Sequence, residues 1–252
     1  MKKFELTSET KINIFGKKLF RIKALISFAD VEAGETGGWV EKEGNVNQSG
    51  NAWVSGDAMV SGNAKVSGDA KVSGNAKVSG DAMVSGDAKV SGNAQVSGNA
   101  EVYGNAEVYG NAMVSGNAKV SGDAMVYGNA KVSGNAKVSG NAEVSGNAMV
   151  YGDAKVSGDA MVSGDAKVYG DAKVSGNAKV YGDADYTTIH GFGAQFRTTT
   201  FFRCKDKKVR VACGCFFGTI PEFREQVKNT RKGKIAEEYL MIADLMEKHF
   251  EK

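Results

Sequence analysis

The 252-residue chain contains one proline, three cysteines and two histidines. A single proline beside 33 glycines excludes the combined excess of collagen-like or disordered tracts. Three cysteines, all in the last quarter, do not make a disulfide framework and point to a reducing compartment. No apolar run approaches the roughly 18 residues that a membrane span requires. The opening, Met1-Lys2-Lys3-Phe4-Glu5-Leu6-Thr7, continues in alternating polar residues rather than a signal-peptide core. The expected setting is the cytoplasm, with no membrane partner. Charge of one sign is also lacking. Lys+Arg 32 against Asp+Glu 29 gives +3, too even to announce a nucleic-acid binder. The balance is uneven along the chain, with +5 over residues 186–252 and −3 over 51–185.

What is present is a repeat. From Val54 to Val180 a valine stands at every sixth position, 22 in all. The unit is Ala-x-Val-(Ser/Tyr)-Gly-(Asn/Asp), as in Ala64-Lys65-Val66-Ser67-Gly68-Asp69. Ala and Val, two apart, point to one side of an extended segment, and x and Ser/Tyr to the other. Gly followed by Asn or Asp turns the chain at low conformational cost. A meander of such strands would be a 22-strand sheet, far past the roughly 10 at which open sheets usually stop. Its bare Ala/Val face would find no cover. A closed spiral solves both problems. Three hexads make an 18-residue triangular coil with Ala and Val filling a common axis, and 22 hexads give about seven coils. A one-residue slip would turn every valine outward.

This pattern resembles the left-handed parallel β-helix of the bacterial hexapeptide-repeat proteins. The left hand is what the resemblance implies, since parallel crossovers are usually right-handed. Residues Gly37-Gly38-Trp39-Val40 and Ser49-Gly50-Asn51-Ala52-Trp53-Val54 are similar to the entry segment of a narrower group, from enteric bacteria, phages and prophages. That group brings an origin and a fold, with a bacterial host cytoplasm, but no chemistry. Gln48 stands where a valine belongs and marks an irregular first turn. The best-known hexapeptide proteins are trimeric acyltransferases with a catalytic His and an acyl-CoA groove between subunits. Residues 51–185 hold no His and no extruded loop, so this reading is disfavoured; the two histidines, His190 and His249, lie beyond the coil. A three-His metal site is excluded by the same count. The turn position is Asn 13 times and Asp 10 times, which suggests backbone conformation rather than calcium. No catalytic residue, cofactor or metal is assigned.

The outward x slot holds Lys 11 times, Met 6 and Glu 3. Grouping by 18 places Met59, Gln95, Met113 and Met149 on a first side. Lys65, Met83, Glu101 and Lys119 fall on a second, and Lys71, Lys89, Glu107 and Met125 on a third. Tyr109, Tyr127 and Tyr181 are assigned to the first side, Tyr151 and Tyr169 to the second. As in the trimeric relatives, the side with Met59, Met113, Met149, Tyr109, Tyr127 and Tyr181 is the candidate oligomer interface. The competing reading is a solvated prism with scattered apolar spots. Flat threonine ladders of an ice-binding surface are absent.

The chain therefore reads as an all-β solenoid with two ends. Residues 1–43 form an N-terminal β cap, with a hairpin of Ile12-Asn13-Ile14-Phe15 and Leu19-Phe20-Arg21-Ile22 around Gly16. Residues 44–185 form the β-helix, and 186–252 a small, separate α+β module. In the module, Gln195–Phe202 and Val209–Cys215 read as strands. Thr219-Ile220-Pro221-Glu222 is a capping box that opens a helix. A longer helix over 234–250 carries Ile235, Tyr239, Ile242, Leu245, Met246 and Phe250 on its apolar side.

The module's polar residues are the candidate chemistry. His190, Arg197, Thr198, Thr199, Thr200 and Arg203 suit an anion such as a nucleotide, against the alternative of a strand with exposed hydroxyls. Cys204, Cys213 and Cys215 with His190 lack ordinary zinc spacing, and Cys213 and Cys215 are expected to share a buried strand face. The cluster Arg203, Lys205, Lys207, Lys208, Arg210 is explained by a solvated hairpin tip, and nucleic acid is disfavoured. The leading expectation is a trimeric, non-catalytic scaffold of phage or prophage origin that displays binding modules, for a host protein for example. The alternative is an anti-defence protein that sequesters a nucleotide signal, and an acyltransferase is a distant third.

Overall fold

The computed structural model describes residues 2–182, 185–193 and 197–251, with only the backbone of Arg197. Each hexad folds as its residue types dictate. A two-residue strand such as Lys65–Val66 is followed by a turn whose glycine lies in the left-handed region, as at Gly110 with φ 71°. Valine pairs with valine 18 residues on, for example Val60 with Val78 and Val66 with Val84. The result is a parallel β-solenoid whose three sides are sheets of 10, 8 and 7 strands. The x-residue N–H donates to the Ala carbonyl of the next coil, as from Met59 to Ala76 at 2.9 Å. The Ala and Val of every hexad are 0–1% exposed. Burial of one valine contributes roughly 1.5–3 kcal/mol, against an ordering cost of about 1–2 kcal/mol per residue.

The corners carry more than backbone preference. Asn75 donates its side-chain amide to Asn93, Asn93 to Asn111, Asn111 to Asn129, Asn129 to Asn147, and Asn147 to Asp165, at 3.0–3.3 Å. An amide both donates and accepts, whereas a carboxylate only accepts. Asn and Asp are therefore not freely exchanged here, because an Asp ends the ladder.

The solenoid starts earlier than the valine run and has about eight coils rather than seven. Trp39–Val40, within the strand Thr36–Val40, pairs in parallel with Met59–Val60, so the boundary at residue 43 falls inside the first coil. Val46 pairs with Val66, 20 residues on. The coil position is thus filled by Val46, and Gln48 belongs to a two-residue insertion rather than replacing a valine. Its side chain holds the N-terminus instead. Oε1 accepts from the N–H of Lys3 at 2.8 Å and of Phe4 at 3.2 Å, and Nε2 donates to the Phe4 carbonyl at 3.0 Å.

The strand Phe4–Ile12 pairs antiparallel with Lys18–Ala24, which pairs antiparallel with Thr36–Val40. The hairpin therefore extends the first side's sheet below the coil. Its turn is pinned by Asn13, whose Oδ1 accepts from the N–H of Phe15 and of Lys17. Ile14 and Phe15 lie in that turn rather than in a strand, and are 77% and 74% exposed.

At the other end four strands, Tyr186–Phe192, Arg197–Arg203, Val209–Cys213 and Phe216–Thr219, form an antiparallel sheet in chain order. One face lays Tyr186, Phe202, Cys204 and Ala212 into the same apolar cluster as Ala178 and Val180 of the last coil. The other face packs Phe201 and Val211 against helices α1 (Ile220–Thr230) and α2 (Gly233–Phe250). The module is therefore not separate: its sheet is the coil's lid. Backbone bonds continue across the join, with the Lys205 N–H donating to Asn177 at 3.1 Å. The capping box forms, since Glu222 Oε2 accepts the Thr219 N–H at 2.7 Å. Leu245 departs from the expected apolar side of α2, being 58% exposed. No helix among the described residues is long and apolar enough to cross a membrane.

Candidate functional site

The proposed anion set lies on and beside the strand Arg197–Arg203, where successive side chains face opposite ways. Thr198 and Thr200 face the coil, while Thr199 and Arg203 face the helices. Thr200 is 1% exposed, and its Oγ1 accepts the Lys173 N–H at 3.0 Å. Thr199, also 1% exposed, donates to Cys213 Sγ at 3.1 Å. Arg203 donates to the Phe250 carbonyl at 3.1 Å and lies 3.7 Å from Asp185. Among the described side chains of the set only His190 and Thr198 come together, with His190 Nδ1 and Thr198 Oγ1 3.0 Å apart and Asp171 3.5 Å beyond. The Arg197 side chain, like Gln195 and Phe196 of the expected strand, lies outside the described residues. The described members of the set do not converge on one point, because strand alternation divides them between two packed faces.

The cysteines are also divided. Cys204 is buried against the coil, and burial pushes its thiol up to about 11, so it is protonated at neutral pH. Cys213 ends one strand. Gly214, at φ 61°, and Cys215 form the two-residue turn into the next. Cys215 is exposed, so the two cysteines do not share a buried strand face. Among the described residues no three His, Cys, Asp or Glu side chains gather as a metal site. In the basic cluster, Arg210 is engaged by Asp206 at 2.7 Å and Arg203 by Phe250 and Asp185. The remaining lysines line an exposed hairpin turn.

The coil's flanks carry the other candidates. Met59, Met113 and Met149 do share the first side, in the sheet that runs from Met59–Val60 through Lys77–Val78. Tyr109, Tyr127 and Tyr181 do not. They follow Val108, Val126 and Val180 of the third side's sheet, while Tyr151 and Tyr169 follow Val150 and Val168 of the first. The Tyr109 and Tyr127 rings stack with centroids 4.9 Å apart and planes 1° from parallel. Tyr127 donates to Glu143 at 3.2 Å, and burial, reinforced by Tyr127, Glu107 and Glu143, pushes the Tyr109 phenol up. Tyr151 and Tyr169 stack similarly at 5.4 Å. Tyr181 stands 50% exposed.

The candidate flank set left out Met125 and Met161. Both stand half-buried on the third side, Met125 in the same hexad as Tyr127. Correct phasing of the tyrosines against the 18-residue coil would have found them. A groove of about 370 Å³ beside Val209, Ile220, Pro221 and Phe250 is rimmed by Lys208 and Glu247. No known protein family and no curated protein matches the chain.

Proposed function

We propose that the protein is a non-catalytic scaffold: a coil, left-handed as in hexapeptide-repeat proteins, that trimerises along its flanks and presents its C-terminal sheet and helices for binding. The entry segment Gly37-Gly38-Trp39-Val40 supports a phage or prophage origin through the resemblance it carries. One observation supports the scaffold reading most. From Ala52 to Val180 the inward Ala and Val positions are 0–1% exposed, so the coil is a filled rod rather than a container. Apart from Trp53, which packs against Phe4 and Phe28 of the N-terminal cap, its variable x positions lie on the outside, chiefly as Lys, Met and Glu on flat sheets. Such a rod suits spacing and display. The Met and Tyr residues of two adjacent sides supply apolar area for contact between copies.

The test is the mass of the full chain in solution by light scattering. A particle three times the 26.5 kDa chain is expected. A monomer at micromolar concentration, or turnover of acetyl-CoA by the purified protein, would overturn the reading.

A further inference from the structure

Cys213 and Cys215 line one cavity between the C-terminal sheet and its helices. We propose that they form a reversible thiol-exchange site, which a low-molecular-weight disulfide such as oxidised glutathione converts to an intramolecular disulfide. The site lies away from the coil's flanks, so the inference is independent of how many copies assemble.

Chain spacing brings the pair together. Cys213 ends the strand Val209–Cys213, Gly214 and Cys215 make the turn, and Phe216 pairs back with Cys213. Two residues span at most roughly 7 Å of chain. The turn shortens that span, which brings the two Cα atoms into the ~4.4–6.8 Å range of disulfides. Only Gly214 stands between them, already at φ 61°, and glycine adjusts most freely to the closing of a small ring. Both side chains also reach the same space. Cys213 pairs across the sheet with Thr199 on the helix side, and with Cys215 it lines a cavity of about 160 Å³ beside Phe223, Arg231 and Tyr239. That volume is below the roughly 300 Å³ at which cofactor pockets begin. It suits one end of a small thiol reagent instead. No third metal-ligating side chain joins the two sulfurs among the described residues, so the pair suits exchange better than a tetrahedral metal.

The two sulfurs are not equivalent. Cys215 is exposed, whereas Cys213 is half-buried and accepts a hydrogen bond from Thr199 at 3.1 Å. The exposed thiol meets the reagent first, and the exposed Arg231 on the same cavity offers a cation to the carboxylates of glutathione. The Cys215 thiolate attacks one sulfur of the glutathione disulfide. That S–S bond breaks, and one glutathione thiolate leaves and takes up a proton. The Cys213 thiolate, its charge stabilised by the Thr199 hydroxyl, then attacks the Cys215 sulfur of the mixed disulfide and expels the second glutathione thiolate. The two protein thiols lose two electrons and two protons, and one glutathione disulfide becomes two glutathiones. A disulfide across one residue of an exposed turn is of the labile kind, so the thiols of a reducing compartment return it to the dithiol. Cys204 takes no part, because it lies on the sheet's opposite face, buried against the coil.

The test incubates the full chain with excess oxidised glutathione at pH 8, quenches with acid, and reads intact mass and free thiols. The wild type should lose two of its three thiols and the mass of two hydrogens, retain no glutathione, and recover both thiols in dithiothreitol. Cys213→Ser should trap one glutathione on Cys215. Cys215→Ser should react more slowly and form no internal bond, and Cys204→Ser should behave as the wild type. A wild type that keeps three thiols, holds glutathione as a stable adduct, or links two chains instead overturns the proposal. Loss of the internal bond in Cys204→Ser would do the same, by tracing it to a different pair. Faster trapping in Cys215→Ser than in Cys213→Ser would overturn the order of attack.

Discussion

The ammonium nitrogen of Lys3 lies 2.8 Å from the carbonyl oxygen of Ala52 and 3.2 Å from that of Gly50. In the regular coil these two acceptors are met by the preceding coil, as when Asn51 and Trp53 donate their N–H groups to Gly68 and Ala70. No coil precedes Gly50 and Ala52, and Lys3 takes its place. Asn45 does the same at the corner between the first and second sides, donating its amide to Gly62 at 3.1 Å and Ala64 at 2.8 Å. Two unrelated side chains thus supply the donors of a missing coil and close an edge that would otherwise recruit another strand.

Lys3 is 2% exposed, and burial lowers its pKa from 10.5 to about 8, with Asp69 opposing the shift. A neutral amine still has two N–H groups for the two carbonyls. Between pH 8 and 10.5 the unfolded chain holds a proton that the folded chain has released. Stability therefore rises with pH across that window, by roughly 1–3 kcal/mol, and the contribution is flat below it. Urea unfolding at pH 7.5 and pH 9.5 should show this rise in the wild type and not in Lys3→Met. An equal pH response in both proteins would refute the assignment.

Gly110 tests the corner geometry. Its φ is 71°, and an added Cβ would lie 3.1 Å from the backbone nitrogen of Gly128 in the next coil. Gly110→Ala therefore meets backbone strain and a close neighbour that is itself held by ladder bonds. The expected cost is roughly 1–3 kcal/mol, seen as a lower melting temperature. Asn111→Ala leaves the glycine intact and should cost less. Were the two variants to melt alike, the left-handed turn would not be the constraint.

The solenoid was legible because every hexad states the same pattern: inward spacing of two, a turn that glycine permits, and no room for slip. The extra coil was not, since Trp39-Val40 lacks the Ala and Gly that mark later hexads. Nor do residue types reveal the two residues inserted between Val46 and Val54, whose purpose appears only when Gln48 meets Lys3 and Phe4. The tyrosines were misplaced by phase alone, because Tyr109 belongs to the strand of Val108. The described members of the anion set are divided for a reason already present in the sequence. Once 197–203 is a strand packed on both faces, Thr199 and Thr200 must point apart. What the sequence could not show was that the coil's open end would claim one of those faces.

Arg203 provides the last test, because its structural and its ligand-binding readings predict opposite results. Its guanidinium donates to the Phe250 carbonyl, lies 3.7 Å from Asp185, and sits 5.6 Å from the centroid of the Phe250 ring. It thereby ties the end of α2 to the sheet that covers the coil. Hydrogen bonds to a charged group contribute about 1.5–3 kcal/mol, and Arg203→Ala also removes the stem that packs on Phe250. The variant should expose α2 to limited proteolysis while the coil keeps its resistance. Nucleotides should leave the melting temperature of the wild type unchanged, since Arg203 is already engaged and Thr199 and Thr200 are buried. A nucleotide-dependent rise in melting temperature that Arg203→Ala abolishes, with α2 still protected, would return Arg203 to a binding role and remove its role as a tether.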